Sequence, residues 1–198
     1  MIKAILFDVD EVVIKREKYF SQKYSEEYKV PQEQVMEFFK GEYQDCAIGK
    51  MDLKEVLPKY LKKWGWQGSL EEFMDYWFTS ETELNEPLLE VVKQLREKGV
   101  LCCLATNNEK YRAQYLLDVV GLKDYFDQAF VSAFVGAKKS QAEFYKYIFN
   151  DLNLKPEEIM FWDSAQGEVD VANSTGIQAK RYINFEEFEK ELKVQNLI

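Results

Sequence analysis

The sequence Ile2-Lys3-Ala4-Ile5-Leu6-Phe7-Asp8-Val9-Asp10-Glu11-Val12-Val13 joins a short apolar run to a group of acidic residues. An apolar run of this length is typical of a buried strand in a parallel sheet. Asp8 and Asp10 follow where the strand should end, and open α/β sheets bind ligands at the carboxyl ends of their strands. Because the two residues are two apart, both carboxylates should point to one side of an extended chain. A divalent cation such as Mg²⁺ would relieve the repulsion between the two carboxylates, so the pair is a candidate metal site. The alternative interpretation is a solvent-exposed turn with no function of this kind.

Composition limits the class of protein. The length of 198 residues predicts one domain, or one domain with a small insert, and a hydrophobic content of 46% is enough for a packed core. The formal net charge of −9 argues against nucleic-acid binding, which depends largely on neutralising phosphates. A small anionic substrate is compatible with this charge only where a metal and a few Lys or Arg residues are placed locally.

Residue types that are absent or few limit the chemistry. The chain has no His, which excludes Ser-His-Asp catalysis, Cys-His catalysis and His-ligated zinc. Its three cysteines, Cys46, Cys102 and Cys103, predict neither a disulfide framework nor a zinc site, and a reducing cytoplasm fits them. Two carboxylates interrupt the first apolar run, so we expect no signal peptide. The longest apolar runs are too short to span a membrane.

Residues 14–82 are predicted to be entirely helical. Asp52 should cap one helix, and Ser69 resembles the start of a capping box. An all-helical block directly after an acidic strand end is typical of a cap over a site, and an ordinary helical part of the core is the alternative. We therefore predict a cap domain at 14–82 and a core domain formed by 1–13 and 83–198. The many aromatic residues of this block are assigned to packing.

From Pro87 onward, strands alternate with helices. The predicted strands are 100–105, 128–131, 159–162 and 178–182, and the predicted helices are 87–96, 111–120, 141–152 and 169–174. Strands that alternate with helices of about ten residues indicate βαβ units and a parallel sheet with right-handed crossovers. The predicted fold class is therefore α/β.

Three of these strands lead into polar residues that suit an oxyanion or a metal. Thr106 and Asn107 follow the second strand of the sheet, where a hydroxyl and an amide could bind phosphate or simply cap the next helix. Lys138 and Lys139 follow the third strand, where a lysine could neutralise a phosphoryl group or could be solvated. Asp163 ends the fourth strand.

The ends of the first two strands resemble the haloacid dehalogenase superfamily. Phe7-Asp8-Val9-Asp10-Glu11-Val12 is similar to its first signature, Asp-x-Asp-x-Thr/Val, and Thr106 matches the Thr or Ser of its second. The resemblance is closest to the phosphatases with a helical cap, such as sugar-phosphate phosphatases and β-phosphoglucomutase.

The ends of the third and fourth strands resemble the remaining two signatures. The third is a Lys commonly followed by Pro just before a helix; by that register Lys139 is the match, and Lys138 is the alternative. The fourth resembles Gly-Asp-Ser-x-x-x-Asp, in which Asp163 and Ser164 match and Glu168 stands in the place of the second acid. Four matches in order, each at a separate strand end, make the resemblance specific.

The resemblance implies a Rossmann-like core whose parallel sheet has the strand order 5-4-1-2-3, with an inserted helical cap. It implies a Mg²⁺-dependent phosphomonoesterase that acts on a small phosphorylated metabolite through an aspartyl-phosphate. A sugar phosphate is the favoured substrate, and a nucleotide comes second. The implied partner is this substrate alone, with no nucleic acid and no membrane, and the oligomeric state stays open.

The resemblance also assigns roles to residues. Asp8 would be the nucleophile, and Asp10 the general acid and base. The residues implied to bind Mg²⁺ are Asp8, Asp163 and, through its backbone carbonyl, Asp10. The residues implied to bind phosphate are Thr106, Asn107 and Lys139. Glu168 and Ser164 are implied to support the metal site.

Three departures from the family pattern leave alternatives open. Glu11 occupies the usual Gly position, Ser140 the usual Pro position, and Trp162 the place of a small or acidic residue. Glu11 could bind a cation, recognise a cationic group of the substrate, or turn outward. A catalytically weak member that acts as a binding protein is therefore one alternative, and a phosphomutase of the β-phosphoglucomutase type is another.

Overall fold

The computed structural model describes all residues from 1 to 198 and contains one five-stranded parallel sheet. β1 (Ala4–Phe7) lies at its centre between β2 (Leu101–Thr106) and β4 (Ile159–Asp163), and β3 (Gln128–Val131) and β5 (Gln178–Arg181) form the edges. The order β3-β2-β1-β4-β5 is the predicted order 5-4-1-2-3 in the opposite direction, so the predicted fold class is confirmed. Each predicted strand is present within one or two residues of its expected position.

Twelve α-helices accompany the sheet. Those before β2 are α1 (Phe20–Tyr28), α2 (Gln32–Lys40), α3 (Tyr43–Cys46), α4 (Leu53–Trp64), α5 (Leu70–Thr79) and α6 (Glu86–Glu97). Those after β2 are α7 (Lys110–Gln114), α8 (Leu122–Tyr125), α9 (Ser132–Val135), α10 (Ala142–Leu152), α11 (Gln166–Ser174) and α12 (Phe185–Val194). None of these helices combines the length and the apolar character needed to span a membrane.

The central strand is apolar throughout because both of its faces are covered. All four residues of β1 are fully buried. Ile5 and Phe7 pack on one side, in a core that includes residues of α6 and α12, whereas Ala4 and Leu6 pack on the other side, against residues of α10 and α11. Successive residues of a strand point to opposite faces, so one short run supplies both halves of the core.

The helical block from α1 to α5 packs around an aromatic core of its own. Fifteen buried residues form this cluster, separate from the two cores that cover the sheet. The predicted caps are confirmed, since the Asp52 side chain accepts a hydrogen bond from the Lys54 backbone N–H, and Ser69 and Glu72 form a capping box. These features support our proposal that residues 14–82 are a cap domain.

Several local features differ from the predicted ones. The predicted helix at 111–120 begins one residue earlier and changes to a π-helix at Tyr115–Val119. α11 begins at Gln166, three residues before its predicted start, because the chain turns directly after β4. α8, α9 and α12 were not predicted at all; α8 and α9 are single turns of four residues, too short to show a helical period.

One contact of the helical block with the core involves the segments that follow β2 and β3. Asp52 accepts hydrogen bonds from the Lys110 ammonium at 2.7 Å and from the Tyr111 hydroxyl at 3.1 Å. Gly49 lies against the backbone of α9, where a Cβ atom on this residue would approach the Ala133 carbonyl oxygen to 2.3 Å. The contact therefore has no room for a side chain at position 49.

We expect Gly49→Ala to lower the free energy of unfolding more than Gly65→Ala does. Both glycines have positive φ, 72° and 75°, so both substitutions place alanine in the left-handed region, which costs about 1–2 kcal/mol. Only at Gly49 does the new methyl group also meet backbone, an overpacking that costs a further ~1–3 kcal/mol. Urea unfolding of the two variants measures the difference, and equal losses of stability would contradict the close contact with Ala133.

Candidate active site

A buried lysine holds three carboxylates together at the carboxyl end of the sheet. The Lys139 Nζ atom lies 2.5 Å from Asp8 Oδ1, 2.7 Å from Asp163 Oδ2 and 3.0 Å from Glu168 Oε2. Asp8 and Asp163 meet because β1 and β4 are parallel neighbours whose carboxyl ends lie side by side. Lys138 points elsewhere and donates a hydrogen bond to the Gln44 side chain, so Lys139 is the lysine within this cluster.

Burial and mutual charge shift the protonation equilibria of this cluster. Burial raises the pKa of the Asp8 carboxyl well above its usual range; Lys139 opposes the rise, and Asp163 reinforces it. The same holds for Glu168, whose pKa is raised chiefly by burial. Burial would lower the pKa of the Lys139 ammonium, but the surrounding carboxylates prevail and raise it well above its ordinary value. Lys139 is therefore a permanent cation in this site.

The charges of this cluster fit a bound magnesium ion. When all three carboxyl groups are ionised, they surround one ammonium and leave two negative charges unbalanced, which a bound Mg²⁺ would neutralise. No three acidic side chains converge closely enough to hold a metal by themselves. An ion would therefore use the two carboxylates at the strand ends, Asp8 and Asp163, together with backbone oxygen and water, which is the mixed coordination that Mg²⁺ favours.

The polar residues after β2 connect the cluster to its surroundings. The Thr106 hydroxyl is buried and accepts a hydrogen bond from the Asn108 amide at 2.7 Å. The Asn107 side chain donates a hydrogen bond from Nδ2 to Glu168 Oε1 at 2.6 Å. Its Oδ1 atom accepts a hydrogen bond from the Lys139 backbone N–H at 2.9 Å. The structure thus brings the predicted site residues after β2, β3 and β4 together, and Asn107 links all three segments.

Ser164 and Glu11 lie at the edge of the site. The Ser164 hydroxyl donates a hydrogen bond to the Glu11 carboxylate at 3.4 Å. Glu11 has a φ of 66°, the left-handed conformation that favours glycine, and its side chain is exposed. The role of Glu11 stays a prediction, and the structure shows an exposed side chain in contact with Ser164.

Asp10 is paired with two arginines. Its Oδ1 atom lies 2.6 Å from Arg16 Nη2 and 2.8 Å from Arg112 Nη2. Glu81 pairs with the same two arginines, with Oε1 3.0 Å from Arg16 Nε and Oε2 3.5 Å from Arg112 Nη2. Burial would raise the pKa of Asp10, but the guanidinium groups of Arg112 and Arg16 hold it below its ordinary value.

Sequence reasoning did not find this group, here called the arginine–carboxylate cluster (Arg16, Glu81, Arg112 and Asp10). Arg16 lies in the segment that leads into the helical block, Glu81 in the segment that leaves it, and Arg112 on α7. One compositional signal was available, because the chain has only four arginines among 26 basic residues. Arg is the residue of choice for buried ion pairs, and two of the four meet at Asp10.

A cavity of about 370 Å³ opens beside Asp10, between the helical block and the sheet. Aromatic side chains of the helical block form one side of it, namely Tyr19, Phe20, Phe39, Tyr43 and Trp77. Most aromatic residues of the block do serve packing, as predicted, but these five also enclose a space of the size of a small ligand.

Residues 2–174 match the model of the family described as haloacid dehalogenase-like hydrolase. The chain belongs to this family. The match includes β1 to β4 and the helical block, and every site residue described above lies within it.

The chain is also similar to proteins of known name. Rat bifunctional epoxide hydrolase 2 is 29% identical over 98 residues, but the match spans only 18% of that protein. A phosphorylated carbohydrates phosphatase of Thermotoga maritima is 23% identical over 185 residues, which is 89% of the chain and 83% of that protein. A haloacid dehalogenase family enzyme of Bacteroides thetaiotaomicron, crystallised with magnesium and inorganic phosphate, has a TM-score of 0.79 at 19% identity over 92% of the chain and 95% of its own.

Proposed function

We propose that this hydrolase is a Mg²⁺-dependent phosphomonoesterase that acts on a small phosphorylated metabolite, with a sugar phosphate favoured. The observation that carries the proposal is the cluster in which the Lys139 ammonium contacts both Asp8 and Asp163, next to Asp10 and its cavity. A carboxylate nucleophile, a fixed cation and a second carboxylate beside a cavity are the groups that phosphoryl transfer requires.

In the first proposed step, an Asp8 oxygen forms a bond to the substrate phosphorus while the bond from phosphorus to the leaving oxygen breaks. Arg112 and Arg16 lower the pKa of Asp10 in the substrate-free site. In the proposed step, the bound phosphoryl dianion counters this effect, so that Asp10 takes up a proton from solvent as the substrate binds. Asp10 then donates this proton to the leaving alkoxide, which departs as an alcohol. In the second step, Asp10 takes a proton from water, the water oxygen bonds to phosphorus, and the bond to Asp8 breaks. Inorganic phosphate is released, and Asp8 and Asp10 return to their starting states.

The remaining residues bind and orient the phosphoryl group. We assign the Thr106 hydroxyl, the Asn107 backbone N–H and the Lys139 ammonium to its oxygens, where they would offset charge that develops during transfer. Asp8, Asp163 and the Asp10 carbonyl would hold Mg²⁺, which supplies charge neutralisation when bound. Glu168 contacts Asn107 and Lys139 and would hold these two phosphate-binding residues in position. We assign a similar supporting role to Ser164.

The size and walls of the cavity support a small substrate. A space of about 370 Å³ that lies under a helical block accommodates a metabolite rather than a protein or a nucleic acid. The name of the Thermotoga maritima relative, a phosphorylated carbohydrates phosphatase, supports sugar phosphates as the first substrates to test.

We expect phosphate release from p-nitrophenyl phosphate and from sugar phosphates to require Mg²⁺. Removal of divalent ions with EDTA should lower turnover by at least ~100-fold, since the metal supplies several kcal/mol of charge stabilisation, and added Mg²⁺ should restore it. Turnover that persists in EDTA would contradict the proposed metal. With glucose 1-phosphate, free phosphate is the expected product, and the appearance of glucose 6-phosphate would instead indicate a mutase.

A further inference from the structure

Tyr43 carries a hydroxyl group that no other part of the chain uses. The residue is half-buried and lines the cavity beside Asp10. Only four buried side-chain nitrogen or oxygen atoms are both closed to solvent and without a hydrogen-bond partner, and the Tyr43 hydroxyl is not one of them. Since this hydroxyl makes no hydrogen bond within the chain, it is open to solvent, and a bound molecule in the cavity can reach it.

Aromatic contacts fix the position of the Tyr43 ring. Its centroid lies 5.5 Å from that of Phe38, 5.3 Å from that of Phe39 and 5.8 Å from that of Trp77. These contacts involve the ring and leave the hydroxyl free. The hydroxyl is therefore held in one place by packing, which is the arrangement that a recognition group requires.

The charges that act on the Tyr43 hydroxyl place it at the Asp10 end of the cavity. Burial raises its pKa above the ordinary value of a tyrosine; Glu109 and Asp10 reinforce the rise, and Arg112 opposes it. The influence is mutual, because Tyr43 in turn raises the pKa of Arg112. The hydroxyl keeps its proton and lies near the carboxylate to which we assign protonation of the leaving group.

The polar groups on the sheet side of the cavity pair with one another. Asp10 contacts both Arg16 and Arg112, and Asn108 accepts a hydrogen bond from Arg112 Nε at 3.1 Å. Tyr43 stands opposite this group on the helical block, with its donor and its acceptor both unused.

A substrate would change the surroundings of this hydroxyl. A leaving group that enters the cavity displaces the water that solvates Tyr43, and an unpaired hydroxyl is then costly. An oxygen atom of the leaving group would replace the lost water, whereas an alkyl chain would not. Sites that form a hydrogen bond with a substrate hydroxyl discriminate against analogues that lack it for this reason.

We infer that Tyr43 is a specificity-determining residue, whose hydroxyl forms a hydrogen bond with a hydroxyl group of the leaving alcohol and so selects polyol and sugar phosphates over alkyl phosphates of the same length. This inference rests on the proposed phosphomonoesterase function and names the substrate class of the same site.

Glucitol 6-phosphate and n-hexyl phosphate test the inference with Mg²⁺ present. Both are phosphate esters of a primary alcohol on a six-carbon chain, and only glucitol 6-phosphate has free hydroxyl groups. We expect the wild type to have at least ~tenfold higher kcat/KM for glucitol 6-phosphate. Tyr43→Phe should lower this ratio by about tenfold, because it removes the hydroxyl and keeps the ring.

Tyr76→Phe is the matched control. It makes the same chemical change in the helical block, at a hydroxyl that donates a hydrogen bond to Glu27 at 2.6 Å and does not line the cavity beside Asp10. Its ratio should equal that of the wild type. A purely structural defect in either variant would lower kcat/KM for both substrates together and leave the ratio unchanged. The urea midpoint of Tyr43→Phe should also match that of the wild type, since no hydrogen bond within the chain is lost.

The outcomes separate this inference from the proposed function. An unchanged ratio in Tyr43→Phe, an equal fall in Tyr76→Phe, or a wild type that prefers n-hexyl phosphate overturns the inference while the phosphatase stands. A wild type that hydrolyses p-nitrophenyl phosphate but neither of the two test substrates does the same. A wild type that hydrolyses none of the three with Mg²⁺ present overturns the proposed function and the inference together.

Discussion

Asp8→Asn is expected to lower phosphate release by at least ~10⁴-fold, as the removal of a nucleophile does in other covalent mechanisms. The amide is uncharged and a poor nucleophile, so it does not form the acyl phosphate on which the proposed mechanism depends. The measurement is turnover of p-nitrophenyl phosphate at saturating Mg²⁺.

The same substitution should leave the fold intact. Asp8 is one of three carboxylates around a single ammonium, and the amide is nearly isosteric with it. The cluster has more carboxylates than cations, so the loss of one negative charge reduces repulsion. We therefore expect the free energy of unfolding of the metal-free protein to fall by no more than about 1 kcal/mol. Urea unfolding measures this value, so a loss of activity can be assigned to chemistry.

Asp75→Asn is the matched control for Asp8. It makes the same chemical change at an exposed carboxylate on α5, and we expect wild-type turnover from it. Full activity in Asp8→Asn would contradict the assignment of Asp8 as the nucleophile. Equal losses of activity in the two variants would mean that the measured effect is not specific to the site.

Lys139→Met is expected to have the second largest effect. It removes the one cation that contacts Asp8, Asp163 and Glu168, and it keeps an unbranched side chain of similar length. The three carboxylates would then have no cationic partner, which should lower the free energy of unfolding of the metal-free protein by about 3–5 kcal/mol. Mg²⁺ should restore part of this stability, because the ion binds the same carboxylates in the folded state only.

Turnover of Lys139→Met should stay low even where Mg²⁺ has restored the fold. Loss of a fixed cation at the transferring phosphoryl group is expected to cost about 10³-fold. Lys138→Met is the control, since this neighbouring lysine contacts Gln44 and not the carboxylates, and we expect it to keep nearly full turnover. A larger loss in Lys138→Met than in Lys139→Met would reverse the assignment of the site lysine.

Much of the fold was predictable from local patterns. β1 is a short apolar run because both of its faces are buried, and that composition is visible without knowing its neighbours. Likewise, the caps at Asp52 and Ser69 depend on residues at most three positions apart, so the sequence contains all of their parts. α9 was missed because four residues carry no period, and the π-helix was missed because nothing in its sequence distinguishes it from an α-helix.

The residues at the strand ends were predictable for a topological reason. Parallel strands in one sheet bring their carboxyl ends to the same edge, so a polar residue after each strand is expected to meet the others. Asp8, Thr106 and Asp163 follow that rule, and Lys139 follows it through the loop between α9 and α10. Pattern alone could not separate Lys139 from Lys138, because adjacent residues of a loop have no fixed direction.

The environment of Asp10 required the tertiary structure. Arg16, Glu81 and Arg112 lie 6, 71 and 102 positions from Asp10 along the chain, and no local periodicity connects them. They meet because the helical block leaves the sheet and returns to it beside α7, which also encloses the cavity. Local sequence determined the strands, the caps and the residues that carry the proposed chemistry, since each depends on near neighbours or on one topological rule. The charge balance at Asp10 and the space for a leaving group depend on packing between distant segments, and only the folded chain decided them.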